Sequence, residues 1–90
     1  MPNNSGLMHQ PFYYVYILRT ESEPYHFYTG FTEDLDARLK HHNSAGDPHT
    51  SKYVPWKIKT AIAFTDRKQA LDFERFLKSA SGRAFARKRL

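Results

Sequence analysis

The run Phe12-Tyr13-Tyr14-Val15-Tyr16-Ile17-Leu18 is dense in aromatic and β-branched residues, and it predicts a strand over 12–18. Strand alternation puts Tyr14 and Tyr16 on one face and Tyr13, Val15 and Ile17 on the other. Glu21-Ser22-Glu23-Pro24 is polar and carries a proline, as a turn does. A second strand is expected over 26–31, with rings at Phe27, Tyr28 and Phe31, paired with the first as an antiparallel hairpin. Gly30 ends it. Thr32 is the expected N-cap of a helix whose early acids, Glu33 and Asp34, suit the positive end of the dipole. That helix continues through Leu35, Arg38 and Leu39 to about His42, and the breaker cluster over 43–48 stops it.

Residues 49–55 read as an irregular connector. From 57 to 64 apolar Ile58, Ala61, Ile62 and Phe64 interleave with polar or basic residues, which predicts a third strand. Thr65-Asp66 offers another cap. Ala70, Leu71, Phe73 and Leu77 then recur at helical spacing over 67–79. Ser81-Gly82 is expected to break this helix, leaving 83–90 as a basic tail of one or two helical turns. Residues 1–11 are rich in Asn, Ser, Gly and Pro without periodicity, and read as a flexible tail. The order β-β-α-β-α, with room for a final α, implies an α+β fold in which helices pack on a small antiparallel sheet. Residues 12–90 form one domain.

Composition narrows the chemistry. A chain of 90 residues supports a single modest core, which seven Phe and six Tyr help to fill. With no cysteine, disulfides and thiolate zinc sites are excluded. No segment has the apolar length of a membrane span, so the expected location is cytoplasmic. The net charge of +5 suits a polyanionic partner such as nucleic acid.

Five side chains stand out. Glu74 lies about 40° from Ala70 and about 60° from Leu77 on a helical wheel, within the apolar stripe. A carboxylate there needs a partner. Two readings are open: an ion pair with Lys78 or another base, or a metal ligand. Arg38 and His42 are four residues apart and share one side of their helix. Arginine offers a donor fork to phosphate, and histidine moves protons near neutral pH. Both types also occur as ordinary helix residues. Tyr16 and Tyr28 are either packing residues or a pair of phenols facing the same region. His41 reads as surface. Lys52, Lys57 and Lys59 surround Tyr53 and Trp56, and Lys78, Arg83, Arg87, Lys88 and Arg89 form a basic C-terminal set. Either group could follow a phosphate backbone, and either could be solvated surface.

Taken in order, these residues resemble the GIY-YIG nuclease family. Tyr14-Val15-Tyr16 is similar to the first signature with Tyr14 in place of its glycine. Tyr28-Thr29-Gly30 is similar to the second with Thr29 for isoleucine. Arg38 matches the family arginine, His42 the histidine that some members carry one turn later, and Glu74 the metal-binding glutamate. The stretch 76–83 resembles small stand-alone bacterial members. The resemblance covers roughly 12–90 and extends to the incision domain of bacterial excision-repair proteins.

It implies a sandwich with a central three-stranded antiparallel sheet. It also implies hydrolysis of DNA phosphodiesters with one Mg²⁺ or Mn²⁺, in repair or recombination. Glu74 would hold the ion, Arg38 would neutralise phosphate charge, Tyr16 would act as base or orient water, and His42 and Tyr28 would handle protons and positioning. A phenol titrating near pH ~10 is a poor base unless positive charge is close. Ala86 and basic residues stand where some members have a polar amide. Many relatives add a recognition domain, so here DNA binding is weak or a partner protein supplies it. The competing expectations are a nucleic-acid-binding module without catalysis and a protein-interaction domain using its tyrosine face.

Overall fold

The computed structural model describes residues 12–44 and 48–90. The expectations of a tail over 1–11 and of helix breakers at Ala45, Gly46 and Asp47 fall outside the described residues. Three strands, β1 (Tyr13–Thr20), β2 (Phe27–Thr32) and β3 (Trp56–Phe64), form one antiparallel sheet in the order β2-β1-β3. The hairpin partner lies on one side of β1 and the late strand on the other. Helix α1 (Leu35–Asn43) follows β2, a 3-10 turn spans Ser51–Tyr53, and α2 (Arg67–Leu77) and α3 (Ala80–Arg89) follow β3.

Because β1 is central and covered on both faces, its apolar run is unbroken. Val15 and Ile17 pack with Ala70 and Leu77 of α2, joined by Phe64, Phe73 and Ala86. On the opposite face Tyr16, Leu18 and Trp56 pack with Leu35 and Leu39 of α1. The two helical layers therefore lie on opposite sides of the sheet. The face assignment read from β1 alternation holds.

Strand β3 departs from a simple alternating strand. Ile17 pairs with Thr60 but Leu18 pairs with Ile58, so Lys59 is the extra residue of a β-bulge. The bulge sends Ile58 to the α1 side, while Thr60 and Phe64 serve the α2–α3 side. Trp56 is a core residue, 3% exposed.

The helix caps also refine the sequence reading. Asp34, two residues beyond Thr32, caps α1: its Oδ1 accepts from the Ala37 N–H at 3.0 Å, while the Thr32 hydroxyl oxygen accepts from the Asp34 N–H at 3.1 Å. Asp66 caps α2 through the Gln69 N–H at 2.9 Å. The expected break at Ser81-Gly82 is instead the first turn of α3. Helix α2 stops at Leu77, and Ser79 Oγ accepts from the Gly82 N–H at 3.1 Å to start the next helix. Three cations, Arg87, Lys88 and Arg89, occupy its last turn, where the dipole favours positive charge. No helix among the described residues is long and apolar enough to cross a membrane.

Two glycines are required by close approach. A Cβ at Gly82 would collide with the Phe76 carbonyl and lie 2.6 Å from the Leu77 Cα, so the α2–α3 corner closes only without a side chain. Gly30 faces Tyr16 across the sheet, and a Cβ there would lie 2.5 Å from the Tyr16 Cζ. Backbone cannot yield as a ring can. Gly82→Ala is therefore expected to destabilise the fold by about 1–3 kcal/mol or more, and Gly30→Ala by less, with the Tyr16 ring displaced. Urea denaturation monitored by circular dichroism measures both. An unchanged midpoint for Gly82→Ala would contradict the packing at that corner.

Candidate active site

Helix α1 is a short amphipathic segment whose apolar residues Leu35 and Leu39 seat it on the sheet. Its last turn delivers His42, which is 1% exposed, onto Tyr16, which is 2% exposed. The Tyr16 hydroxyl lies 3.0 Å from His42 Nε2, and His42 Nδ1 lies 2.9 Å from Thr50 Oγ1. The Trp56 indole N–H in turn donates to the Thr50 carbonyl at 2.8 Å. Asn43 anchors the end of α1 to the start of β3, donating to the Trp56 carbonyl at 3.0 Å and accepting from its N–H at 2.6 Å. A buried hydrogen-bonded line thus runs from Tyr16 through His42 to Thr50. If Tyr16 donates to Nε2, the Nδ1–H donates to Thr50, and the imidazole can accept the tyrosine proton.

Tyr28 completes an aromatic cluster. Its ring centroid is 4.7 Å from that of His42 and 6.3 Å from that of Tyr16, and it is only half-buried. Arg38 stands one turn before His42 on α1, exposed, and among the described residues it has no ion-pair partner. Four of the five singled-out side chains therefore belong to one side of the sheet.

Glu74 comes from the other layer, on α2. Its side chain is 20% exposed and its Oε2 lies 3.1 Å from Lys78 Nζ, the ion pair that the wheel allowed. No recorded contact joins it to Tyr16 or His42. Glu74 and the Tyr28 ring lie in different layers; β2 is an edge strand, and Phe27, Tyr28 and Thr29 border a groove on the α2–α3 side whose walls include Lys78. Among the described residues no group of three His, Cys, Asp or Glu could hold a metal ion. A single carboxylate still fits a hard cation such as Mg²⁺, which keeps several waters and takes substrate phosphate as a further ligand. Lys78 is half-exposed and flexible, so its ammonium can leave Glu74 when a cation arrives.

Of the basic residues, Lys78, Arg83 and Arg87 share that groove, whereas Lys52, Lys57 and Lys88 are exposed elsewhere. Lys52 lies over the Tyr53 ring at 5.4 Å. On the solvent side of α2, a hydrogen bond from Lys68 holds the Asp72 carboxyl below its ordinary range and raises the lysine. That pair is exposed, contributes little and is no part of the site. Sequence reasoning passed over Thr50, which lies in a connector without periodicity. A buried histidine needs a partner for each ring nitrogen, and that need was the available signal for it.

Comparison with known proteins gives the family. The family model described as the GIY-YIG catalytic domain matches residues 12–89. The structure-specific endonuclease subunit SLX1 of Scheffersomyces stipitis is 37% identical over 70 residues, 70% of this chain and 21% of that protein. The UPF0213 protein BH0048 of Halalkalibacterium halodurans is 36% identical over 72 residues, 79% of this chain and 74% of that protein. A UPF0213 protein of Lacticaseibacillus paracasei is 36% identical over 63 residues, 69% of this chain and 68% of its own length. The chain thus spans about a fifth of the SLX1 protein and roughly three quarters of the bacterial relatives. No solved structure matches it significantly. With its three-stranded sheet, its two tyrosine signatures and a matching family model over nearly its whole length, this chain belongs to the GIY-YIG catalytic-domain family.

Proposed function

We propose that this protein is a divalent-metal-dependent endonuclease that hydrolyses DNA phosphodiester bonds. The observation that carries the reading is the buried Tyr16–His42–Thr50 line on the same side of the sheet as the exposed Arg38, which has no ion-pair partner among the described residues. Each part has a task in hydrolysis. Arg38 would bind the non-bridging phosphate oxygens and offset charge that builds as water attacks. Tyr28, at the half-buried rim, would position the water and the phosphate. Tyr16 would take the proton of the attacking water as its own passes to His42 Nε2. With Thr50 accepting from the Nδ1–H, Nε2 would be the nitrogen that receives the Tyr16 proton. Glu74 would hold Mg²⁺ or Mn²⁺, released from Lys78. An ion held there would supply Lewis-acid charge at the scissile phosphate.

The names of the SLX1 relatives, structure-specific endonuclease subunits, support a structure-specific substrate and action with a partner subunit. On this reading a partner would supply target recognition, and the protein would act in DNA repair or recombination, in the cytoplasm.

Cleavage of branched and nicked DNA by the purified protein is expected to require Mg²⁺ or Mn²⁺ and to stop with EDTA. Tyr16→Phe is expected to lower the rate about 10²-fold or more, and Arg38→Ala about 10²–10³-fold. Glu74→Gln is expected to abolish metal-dependent product, while salt-sensitive DNA binding persists. Equal cleavage by wild type and Glu74→Gln would remove that carboxylate from the reaction, and salt-sensitive DNA binding with no cleavage by wild type would leave a binding module.

Thr50 has its own signature. Thr50→Val preserves shape but removes the Nδ1 partner. It is expected to lower kcat by roughly tenfold or more, the scale on which a histidine-orienting partner acts. KM should hold, the pH–rate profile should shift, and Thr50→Ser should restore both. A Thr50→Val enzyme with the wild-type pH profile would remove Thr50 from the proton path.

A further inference from the structure

A groove of about 620 Å³ lies on the α2–α3 side of the sheet, within the size range of small-ligand clefts. Its floor is apolar, made by Ile17 and Leu77, and Phe27 stands at its side with 58% of its surface exposed. Its rim is cationic: Lys59, Lys78, Arg83 and Arg87 line it, and no carboxylate does. Lys59 reaches this rim from the β3 bulge. Among the described residues Lys59, Arg83 and Arg87 have no ion-pair partner. Three of the four rim cations are thus available to an anion, and the fourth, Lys78, pairs with Glu74.

We infer that this groove binds an unpaired nucleotide of a single-stranded DNA segment, with its base on the apolar floor against Phe27 and its phosphates on the rim cations. The inference rests on the nuclease reading for the identity of the polyanion and goes beyond it in naming the form of DNA. A duplex presents phosphates outward and keeps its bases stacked inside, so it would use the rim and leave the floor unfilled. An unstacked base has an apolar face that the floor and an exposed ring can take up. An inorganic phosphate would not need the floor at all. Because Lys78 bridges the groove to Glu74 and Tyr28 lines it, a strand held here lies next to the carboxylate proposed for the metal.

Fluorescence anisotropy on the whole chain tests this in EDTA, where no cleavage occurs. The probes are a labelled oligothymidylate and a labelled hairpin duplex with the same number of phosphates. The single strand is expected to bind roughly fivefold tighter or more, the scale of one base stacked on an aromatic ring. Phe27→Ala, at an exposed position that the fold does not need, should erase that preference and leave duplex binding unchanged. Arg87→Ala should reduce the slope of log affinity against log salt by about 0.7. Equal affinity for both probes, or a Phe27→Ala protein that keeps the preference, would overturn the inference. So would displacement by polyglutamate as effective as displacement by unlabelled oligothymidylate, which would assign the groove to an acidic peptide. Single-strand preference that depends on Phe27 supports the groove even where no Glu74-dependent cleavage is found, so the two readings fail separately.

Discussion

The hydrogen bond between the Tyr16 hydroxyl and His42 Nε2 is the constraint on which this architecture turns. It joins the central strand to the one helix that covers that face. Both side chains are almost wholly buried, so solvent replaces a lost partner poorly. Leaving one of them unpaired would cost roughly 1–3 kcal/mol, a large part of a small domain's stability. The chain meets that demand with a series of further partners: Thr50 for the second ring nitrogen, Trp56 for the Thr50 carbonyl, and Asn43 for the Trp56 backbone. Among the described residues no buried side-chain nitrogen or oxygen lacks a partner.

The two faces of the sheet consequently do different things. The α2–α3 face is apolar, with Val15, Ile17, Ala70 and Leu77 at its centre, and burial holds it together, with the Thr60 hydroxyl donating to the Leu90 carbonyl at 2.8 Å. The α1 face carries a satisfied polar network, which fixes one arrangement where an apolar core would tolerate several. Chemistry needs such a fixed arrangement. The Tyr28 ring belongs to the histidine cluster, while β2, as an edge strand, also borders the basic groove of the layer that carries Glu74.

Much of this was legible in the chain itself. Strict alternation in β1 sorts Tyr14 and Tyr16 from Val15 and Ile17, and the four-residue spacing of Arg38 and His42 sets both on α1. Glu74 within an apolar stripe required a partner, and Lys78 is that partner. What stayed hidden depended on contacts distant in sequence. The bulge at Lys59 reverses the faces of β3, yet Ile58, Ile62 and Phe64 read as one regular strand. Ser81-Gly82 looks like a breaker, because sequence does not show that the Phe76 carbonyl fills the space of a Cβ at Gly82. Thr50 has no local pattern, and its meaning comes from a histidine on another element.

Whether Tyr16, His42 and Thr50 form one proton path is tested most directly by a double-mutant cycle on single-turnover DNA cleavage. If they act together, adding Thr50→Val to Tyr16→Phe lowers the rate little further, because the path is already broken. Fully additive losses in the double variant would contradict it and reduce the buried line to a packing feature.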